Sequence, residues 1–189
     1  MAERRSAVAH LPRPSAGAKV SLSERRPGAI LQVAAWPETL GNAWRISGEL
    51  LGQAMPHVGS ASRGEGFAVL AVAPGRLLIA ADSPDMVARL EAALTAADAT
   101  VTDLSHGRTS LRLEGEAAAD VLAKGVAIDL HPAAFPVDRV AQSMIHHIDI
   151  VLHRVGPAAF ELWVLRSFAQ SLVEWLLEAG EEFGIASAR

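Results

Sequence analysis

The feature that most constrains the fold is a pattern that occurs twice in the chain. Two apolar runs are joined by a proline turn and are followed by a serine and a helical apolar stripe. The first copy turns at Pro74 and reaches Ser83, and the second turns at Pro157 and reaches Ser167. Such turns indicate β-hairpins, and a serine at that place is typical of a helix N-cap. A chance match between two ordinary hairpins is the alternative interpretation.

The segments before each hairpin extend the pattern to a whole module. A strand over 30–36, a helix opened by Pro37 and a loop over 56–66 precede the first hairpin. The second hairpin is preceded by strands over 101–104 and 110–113 and by a short helix that ends at Gly125. We expect the two strands of this hairpin over 145–152 and 160–165. Both halves then follow the order β-α-β-β-α.

This order predicts an α+β fold of two fused split-βαβ (ferredoxin-like) modules, whose antiparallel sheets are covered by helices on one face. We expect a basic, flexible arm over residues 1–27, a first module over 28–100 and a second over 101–189. The two modules are expected to pack as one globular unit. Ser83 and Ser167 are predicted to cap the last helix of each module, with Gln170 completing a capping box in the second.

The first 27 residues differ in charge from the rest of the chain. They contain six arginine or lysine residues and two glutamates, whereas the whole chain has a formal net charge of −4. A basic segment of this kind can lie on an acidic partner or on its own domain, and it is equally the composition of a loose terminus. Both interpretations remain open at this point.

Composition excludes several classes of function. The chain has no cysteine, which rules out disulfides, thiolate zinc sites and cysteine nucleophiles. It has no apolar run of membrane-spanning length and no signal-peptide pattern, so we expect a cytoplasmic protein. The acidic body and the low aromatic content of 5% argue against nucleic acid as a partner. A charged fraction of only 20% indicates either apolar surface covered by a partner or a compositional bias toward alanine and valine.

The histidines are the first candidates for chemistry. If one strand ran through 144–152, one face would carry His147, Asp149 and His153, whereas Met144, His146 and three aliphatic residues would face the core. His147 and His153 would then lie roughly 20 Å apart at 3.3 Å per residue, too far to share one metal ion. We expect polar groups facing solvent or an interface.

Three other candidates also have a structural interpretation. Asp103, Ser105 and His106 suggest a catalytic triad, but so short a segment is more typical of a turn in which side chains bond the backbone. Arg166 could bind a carboxylate at a helix N-terminus, although an intramolecular ion pair is the simpler expectation. The glycine-rich loop over 59–66 lacks the order of a phosphate-binding loop. We therefore predict no catalytic, cofactor-binding or metal-binding residue.

Local segments of the second half form a specific pattern. Asp103-Leu-Ser-His-Gly-Arg108 is followed by Asp129-Leu-His-Pro132, Phe135-Pro136 and finally Leu165-Arg-Ser-Phe-Ala169. This order resembles the gamma subunit family of heterotetrameric sarcosine oxidase over about residues 100–180, and more loosely over the N-terminal half. The candidate interface or motif residues are accordingly Asp103, Ser105, His106, Arg108, His131, Phe135, Arg166 and Ser167.

The resemblance implies a role within a larger enzyme. The complexes of that family oxidatively demethylate sarcosine to glycine, form hydrogen peroxide and pass the one-carbon unit to tetrahydrofolate. Flavins, NAD, folate and zinc would lie on the partner alpha, beta and delta subunits, and this chain would carry no cofactor and no activity when isolated. Exposed apolar surface could also let the isolated chain pair with itself.

The resemblance further implies a fold similar to the folate-binding aminomethyltransferase of the glycine cleavage system. Those transferases use an acidic residue in a glycine-rich turn between strands. No glycine occurs between Met144 and Leu152, although Asp149 lies near the corresponding place. This departure argues against transferase activity. The alternatives are a free-standing folate-dependent transferase and a small-molecule binding protein that uses Arg166 and the glycine-rich loop.

Overall fold

The computed structural model describes residues 5–8, 11 and 17–187, and the chain divides into two compact units. Unit 1 comprises Met1–Arg26 and His106–Arg189, whereas unit 2 comprises Pro27–Ser105. The chain therefore leaves unit 1 after Arg26 and returns to it at His106. None of the helices among the described residues is long and apolar enough to cross a membrane.

The described residues form eleven strands and four α-helices. The strands are β1 (Val20–Arg25), β2 (Ala29–Ala35), β3 (Ala61–Gly64), β4 (Phe67–Ala73), β5 (Arg76–Ala81), β6 (Ala99–Asp103), β7 (Arg108–Glu114), β8 (Val140–Ile145), β9 (Ile148–Gly156), β10 (Ala159–Leu165) and β11 (Ile185–Ser187). The helices are α1 (Leu40–Leu51), α2 (Met86–Ala93), α3 (Ala118–Ala123) and α4 (Ala169–Ala179), and short 3-10 turns span Arg166–Phe168 and Glu181–Phe183.

Unit 2 is a split-βαβ module with an additional edge strand. Its sheet has the order β3-β4-β5-β2-β6, and all of its neighbouring strands are antiparallel. The order β2-α1-β4-β5-α2-β6 along the chain is that of a ferredoxin-like module. Apolar residues of the sheet such as Leu31 and Ile79 pack with Ala43 and Leu51 of α1 and Leu90 of α2. The helices therefore cover one face of this sheet, as predicted.

Unit 1 repeats this arrangement with strands from both ends of the chain. Its sheet has the order β11-β1-β7-β10-β9-β8, antiparallel except for the parallel pair β1 and β11. Its core combines one face of the sheet with α3 and α4, and includes Leu111, Phe160, Leu162, Leu122 and Leu172. Both predicted hairpins are present, and each precedes a helix of its unit. The prediction of an α+β fold with two helix-covered sheets is therefore confirmed.

The predicted boundaries differ from those of the structure. The segment predicted as an arm contains β1, in which Val20 and Leu22 are buried while Ser21 and Ser23 alternate with them. The strand that was predicted to open the second module is β6, which pairs with β2 in unit 2. Both differences have one cause: each strand completes a sheet by pairing with residues more than 60 positions away, and no local pattern reveals such a pairing.

The prediction of one continuous strand through 144–152 was wrong. β8 and β9 form a hairpin whose two-residue turn is His146-His147, and His146 has a φ of 54°. A left-handed residue at this place is usually glycine or asparagine, although histidine adopts the conformation more readily than most residues. The turn therefore lacks the sequence signal by which hairpins are recognised. As a result, His146 and Met144 are exposed, contrary to the prediction that they face the core.

The predicted caps were also wrong. α2 and α4 begin at Met86 and Ala169, and neither N-cap residue makes a side-chain hydrogen bond. Ser83 Oγ instead accepts a bond from the Asp85 N–H at 3.3 Å. Gly125 lies two residues beyond the end of α3 and has no positive φ. Its lack of a side chain serves packing, because a Cβ there would overlap the indole ring of Trp175 on α4.

The connection from α3 to β8 is held in place by one buried arginine. Arg154 of β9 is only 4% exposed, and its guanidinium donates hydrogen bonds to the carbonyl oxygens of Leu130 (3.0 Å), Phe135 (2.9 Å), Gly156 (3.3 Å) and Pro157. The same group lies 5.1 Å from the Phe160 ring centroid, a cation–π distance. The loop that contains His131 and Phe135 is thereby attached to the sheet.

Replacing Gly125 with alanine is expected to destabilise the protein. The added methyl group would overlap Trp175, and overpacking of this kind costs about 1–3 kcal/mol of unfolding free energy. The matched control is Gly41→Ala in α1, where a Cβ meets nothing within 4 Å and the change from glycine should raise helix stability. Urea unfolding monitored by circular dichroism would measure both. Equal effects of the two substitutions would contradict the packing role of Gly125.

Replacing Arg154 with methionine is expected to lower the free energy of unfolding by about 3 kcal/mol or more. Several buried carbonyl oxygens would lose their donors, and each such loss costs about 1–3 kcal/mol. Arg139→Met changes an exposed arginine just before the neighbouring strand and serves as the control. Urea unfolding would compare the two variants. A loss for Arg154→Met no larger than that for the control would contradict the anchoring role.

Candidate functional site

Two of the motif segments meet at one end of the unit 1 sheet. Arg108, the first residue of β7, pairs in register with Leu165, the last residue of β10. The next residue, Arg166, donates its backbone N–H to the carbonyl oxygen of Gly107 at 2.9 Å. The structure therefore joins the segment around His106–Arg108 to the segment around Arg166–Ser167, which lie about 60 residues apart in sequence.

Arg166 binds the N-terminal segment of its own chain. Its guanidinium donates hydrogen bonds to the carbonyl oxygens of Arg5 at 2.8 Å and Ser6 at 3.0 Å. In the described part of the chain, these contacts of the Arg166 side chain are with backbone carbonyls, and the expected intramolecular ion pair is not among them. Arg166 thus recognises backbone rather than a charged side chain.

Glu24 of β1 holds the same segment from the other side. Its carboxylate accepts hydrogen bonds from the Ser6 hydroxyl, the Ala7 N–H at 2.9 Å and the Thr109 hydroxyl at 3.0 Å. Val8, which follows, is 7% exposed and belongs to the unit 1 core. Residues 5–8 are therefore packed on unit 1. Nothing in the sequence distinguished Glu24 from any other surface glutamate.

Around this contact lies a shallow open pocket lined by Ser6, Ala7, Gly107, Arg166 and Ser167. Ser167 is exposed beside the pocket. The residues that flank Arg166 and Ser167 in the sequence, Leu165 and Phe168, are large, apolar and 42% and 45% exposed. Exposed apolar residues of this size next to arginines are typical of protein interfaces. The apolar pair was not singled out from the sequence, because an exposed and a buried leucine look alike there.

The position of Arg108 lowers its pKa. Partial burial disfavours the charged guanidinium and lowers the pKa, whereas the nearby Asp149 carboxylate opposes this change. Arginine nevertheless keeps its charge at every physiological pH. The positive charge of Arg108 is therefore retained beside Leu165.

Asp103 and Ser105 lie in unit 2 and form a turn, as the structural interpretation expected. Asp103 Oδ1 accepts the Ser105 N–H at 2.8 Å. The Ser105 hydroxyl, in turn, accepts the Ile30 N–H at 3.0 Å and donates to the Ile30 carbonyl at 3.3 Å. Ser105 is 7% exposed, whereas His106 is exposed. Because the buried Ser105 hydroxyl both accepts and donates a hydrogen bond with the backbone of Ile30, it is not placed to act as a nucleophile.

His131 and Phe135 lie in the loop that Arg154 holds. The His131 N–H donates to Asp129 Oδ1 at 2.8 Å, and His131 Nδ1 accepts the Ala133 N–H at 3.3 Å. Phe135 is 2% exposed and belongs to the core, so it contributes to folding and not to a free surface. A second pocket, of about 430 Å³, adjoins His131 and has Glu116, Asp120 and Asp129 at its wall.

The histidines that the structure describes lie apart from one another in burial and in contacts. His147 and Asp149 are exposed, whereas His153 is fully buried and its Nε2 lies 3.3 Å from Asp138 Oδ1. The expectation of a solvent-facing or interface-facing His153 was therefore wrong. Among the described residues, no group of three or more histidine, aspartate or glutamate side chains is arranged to hold a metal ion.

Known proteins of one family are similar to most of this chain. The model of the sarcosine oxidase, gamma subunit family matches residues 51–182. Sarcosine oxidase subunit gamma from Corynebacterium sp. (strain U-96) is 38% identical over 122 residues, which are 64% of this chain and 60% of that protein. That alignment thus spans less than two thirds of the relative. Sarcosine oxidase subunit gamma from Arthrobacter sp. is 35% identical over 187 residues, 95% of this chain and 91% of that protein.

Two solved structures are similar in fold. A chain of the heterotetrameric sarcosine oxidase from Corynebacterium sp. U-96, in complex with pyrrole 2-carboxylate, superposes with a TM-score of 0.84 and 33% identity over 98% of this chain and 99% of that chain. The glycine cleavage system aminomethyltransferase T from Bartonella henselae has a TM-score of 0.64 and 19% identity, over 90% of this chain and 48% of that one. The second likeness concerns the fold alone.

The predicted similarity to the aminomethyltransferase fold is thereby confirmed. The family model covers more than half of the chain and includes both motif segments that meet beside Arg166. The chain belongs to the sarcosine oxidase gamma subunit family.

Proposed function

We propose that this chain is a structural subunit of a cytoplasmic heterotetrameric sarcosine oxidase and has no catalytic activity of its own. Its partners would be the alpha, beta and delta subunits. The complex would oxidatively demethylate sarcosine to glycine and transfer the one-carbon unit to tetrahydrofolate, with flavins, NAD, folate and zinc bound by the partner subunits.

The observation that carries this proposal is the likeness to a complete chain of a heterotetrameric enzyme. The superposition spans 98% of this chain and 99% of that one, so the two correspond over nearly their whole lengths. Such a correspondence favours the same role, because interfaces of an oligomer depend on surfaces throughout a subunit.

The contacts of the candidate residues support a role in folding and assembly. Ser105 is engaged by Ile30, Arg166 by backbone carbonyls and Phe135 by the core. A nucleophile or a general base needs a free reacting atom beside a cleft, aligned with a partner group. Ser105, Arg166 and Phe135 are held by backbone and core contacts and do not form such a group.

The free-standing folate-dependent transferase remains the alternative. The likeness to an aminomethyltransferase concerns the fold, which many unrelated functions share. The turn between β8 and β9 is His146-His147, without the glycines or the acidic residue of the transferase turn. The alternative of a small-molecule site built on Arg166 and the glycine-rich loop is weakened because the Arg166 guanidinium already binds the carbonyl oxygens of Arg5 and Ser6.

Co-expression tests the proposal directly. The full chain is expected to co-purify with affinity-tagged alpha, beta and delta subunits, and the assembly should form hydrogen peroxide when sarcosine is added. The chain alone should form none. Omission of this chain should reduce the yield of the assembled complex, because the interfaces that it buries would be exposed. A complex that assembles equally well without it would refute the structural role.

A separate measurement addresses the alternative. The isolated chain is expected to show no change in melting temperature on addition of tetrahydrofolate, since a ligand that binds the folded state would raise it. A saturable rise in melting temperature would favour the folate-dependent transferase. Bovine serum albumin titrated in the same way would report non-specific effects of the reagent.

A further inference from the structure

One end of the unit 1 sheet gathers arginines from four separate segments. Arg25 ends β1 and is followed by Arg26, Arg108 begins β7, and Arg166 follows β10. Arg5 joins them because Arg166 binds its carbonyl oxygen. We call this group of five residues the arginine edge. Because β1 and β10 both pair with β7 and end at the same side of it, these residues share one end of the sheet.

The arginine edge is open to solvent in most of its members. Arg5, Arg25 and Arg26 are exposed, and Arg108 and Arg166 are half-buried. Three acidic side chains of the described residues interact with this end of the unit. Glu161 Oε1 lies 3.8 Å from Arg25 Nε, and the Asp149 carboxylate interacts electrostatically with Arg108. The Glu24 carboxylate accepts hydrogen bonds from the N-terminal segment. The five arginines of the edge therefore outnumber these three described carboxylates, although the whole chain carries a formal net charge of −4.

The opposite end of the same sheet is different. Glu114 ends β7 and pairs with Arg112 at 2.8 Å, and Glu116 pairs with Lys19 at 3.2 Å. These two ion pairs match positive and negative groups within the chain. The grouping of arginines is therefore specific to the arginine edge and does not extend over the unit as a whole.

Apolar side chains lie within the arginine edge. Leu165 pairs with Arg108 and is 42% exposed, and Phe168 is 45% exposed. Met144, which is 53% exposed, pairs with Asp149 at the same end of the sheet. An apolar centre with an arginine-rich rim is the composition of protein–protein interfaces, whose central residues are often aromatic or arginine. A nucleic acid or a lipid headgroup would need the charges but not this apolar centre.

We propose that the arginine edge, with Leu165 and Phe168 at its centre, binds an acidic surface of a partner subunit. The proposal rests on the assignment of the chain as a subunit of a larger enzyme and names the surface that would make the contact. The charge of the edge fixes the chemistry of the partner, since complementary potentials raise association rates and select the correct surface. Arg166 and Glu24 contribute by holding Arg5 in this position.

The test compares substitutions at the arginine edge with matched substitutions elsewhere. Arg5→Glu reverses a charge whose side chain is exposed, and Phe168→Ala removes an exposed ring. Arg139→Glu makes the same charge change at the other end of the unit 1 sheet, and Val58→Ala truncates a residue that is 54% exposed in unit 2. Each full-length variant is titrated against the tagged assembly of the other three subunits, after circular dichroism has verified an unchanged melting temperature.

We expect Arg5→Glu and Phe168→Ala each to raise the Kd about tenfold or more, and the two controls to change it less than about twofold. Arg5→Glu should also weaken the dependence of the association rate on salt, because it removes part of the electrostatic attraction. A Kd that is equal for the edge variants and the controls would overturn the proposal. If the wild-type chain binds the other subunits and the variants bind with the same Kd, the proposal for the edge fails but the subunit assignment stands. If the wild-type chain does not bind them at all, the subunit assignment itself is refuted.

Two other occupants of the edge are distinguished in the same experiment. Vesicles of anionic phosphatidylglycerol and a heparin column probe a lipid or polyanion surface. If Arg5→Glu loses binding to either of them and keeps full affinity for the other subunits, the acidic protein partner is excluded. If Phe168→Ala weakens only the binding of the subunits, the apolar centre is assigned to the protein interface, as the proposal requires.

Discussion

The pairing of β7 on both of its sides is the interaction on which unit 1 depends. All seven residues of β7 pair with β10, and five of them pair with β1, which comes from the N-terminal part of the chain. This register directs Leu111 and Leu113 into the core against α3 and α4. A shift of one residue would turn both leucines to the other face, and each buried leucine contributes about 1.5–3 kcal/mol. The register is therefore strongly determined.

The same register assembles the candidate interface. Since Arg108 pairs with Leu165, the two motif segments are joined, and the turn that follows β10 places Arg166 where it binds Arg5 and Ser6. Glu24 lies in β1 and reaches Thr109 in β7, so it ties the N-terminal segment to the same strand pair. The surface thus depends on backbone pairing in the sheet more than on any single side chain. Sites supported by a rigid sheet in this way are positioned more accurately than sites on isolated loops.

The two units show how much of such a fold is predictable. The hairpins over β4–β5 and β9–β10 and the stripes of α1, α2 and α4 were predicted because each produces a local apolar period or a proline turn. The hairpin at His146-His147 was missed because a histidine occupies the position where glycine or asparagine normally marks a turn. The helix caps were misassigned because serine near a helix start is only a tendency, and α4 is preceded by a 3-10 turn. For the candidate interface, the motifs named Arg108, Arg166 and Ser167, but no sequence signal pointed to Arg154, Glu24 or the apolar pair Leu165 and Phe168.

The sequence by itself determined the α+β class, the twofold recurrence of hairpin and helix, the absence of cysteine chemistry and the family motifs, because these depend on composition and on spacings within about twenty residues. Only the tertiary structure decided which strands complete each sheet, since β1 and β6 pair with partners far away in the chain. It also decided that Arg166 binds backbone carbonyls and that arginines from four segments share one end of a sheet. Long-range pairing and burial depend on the whole chain, and a local pattern carries no information about them.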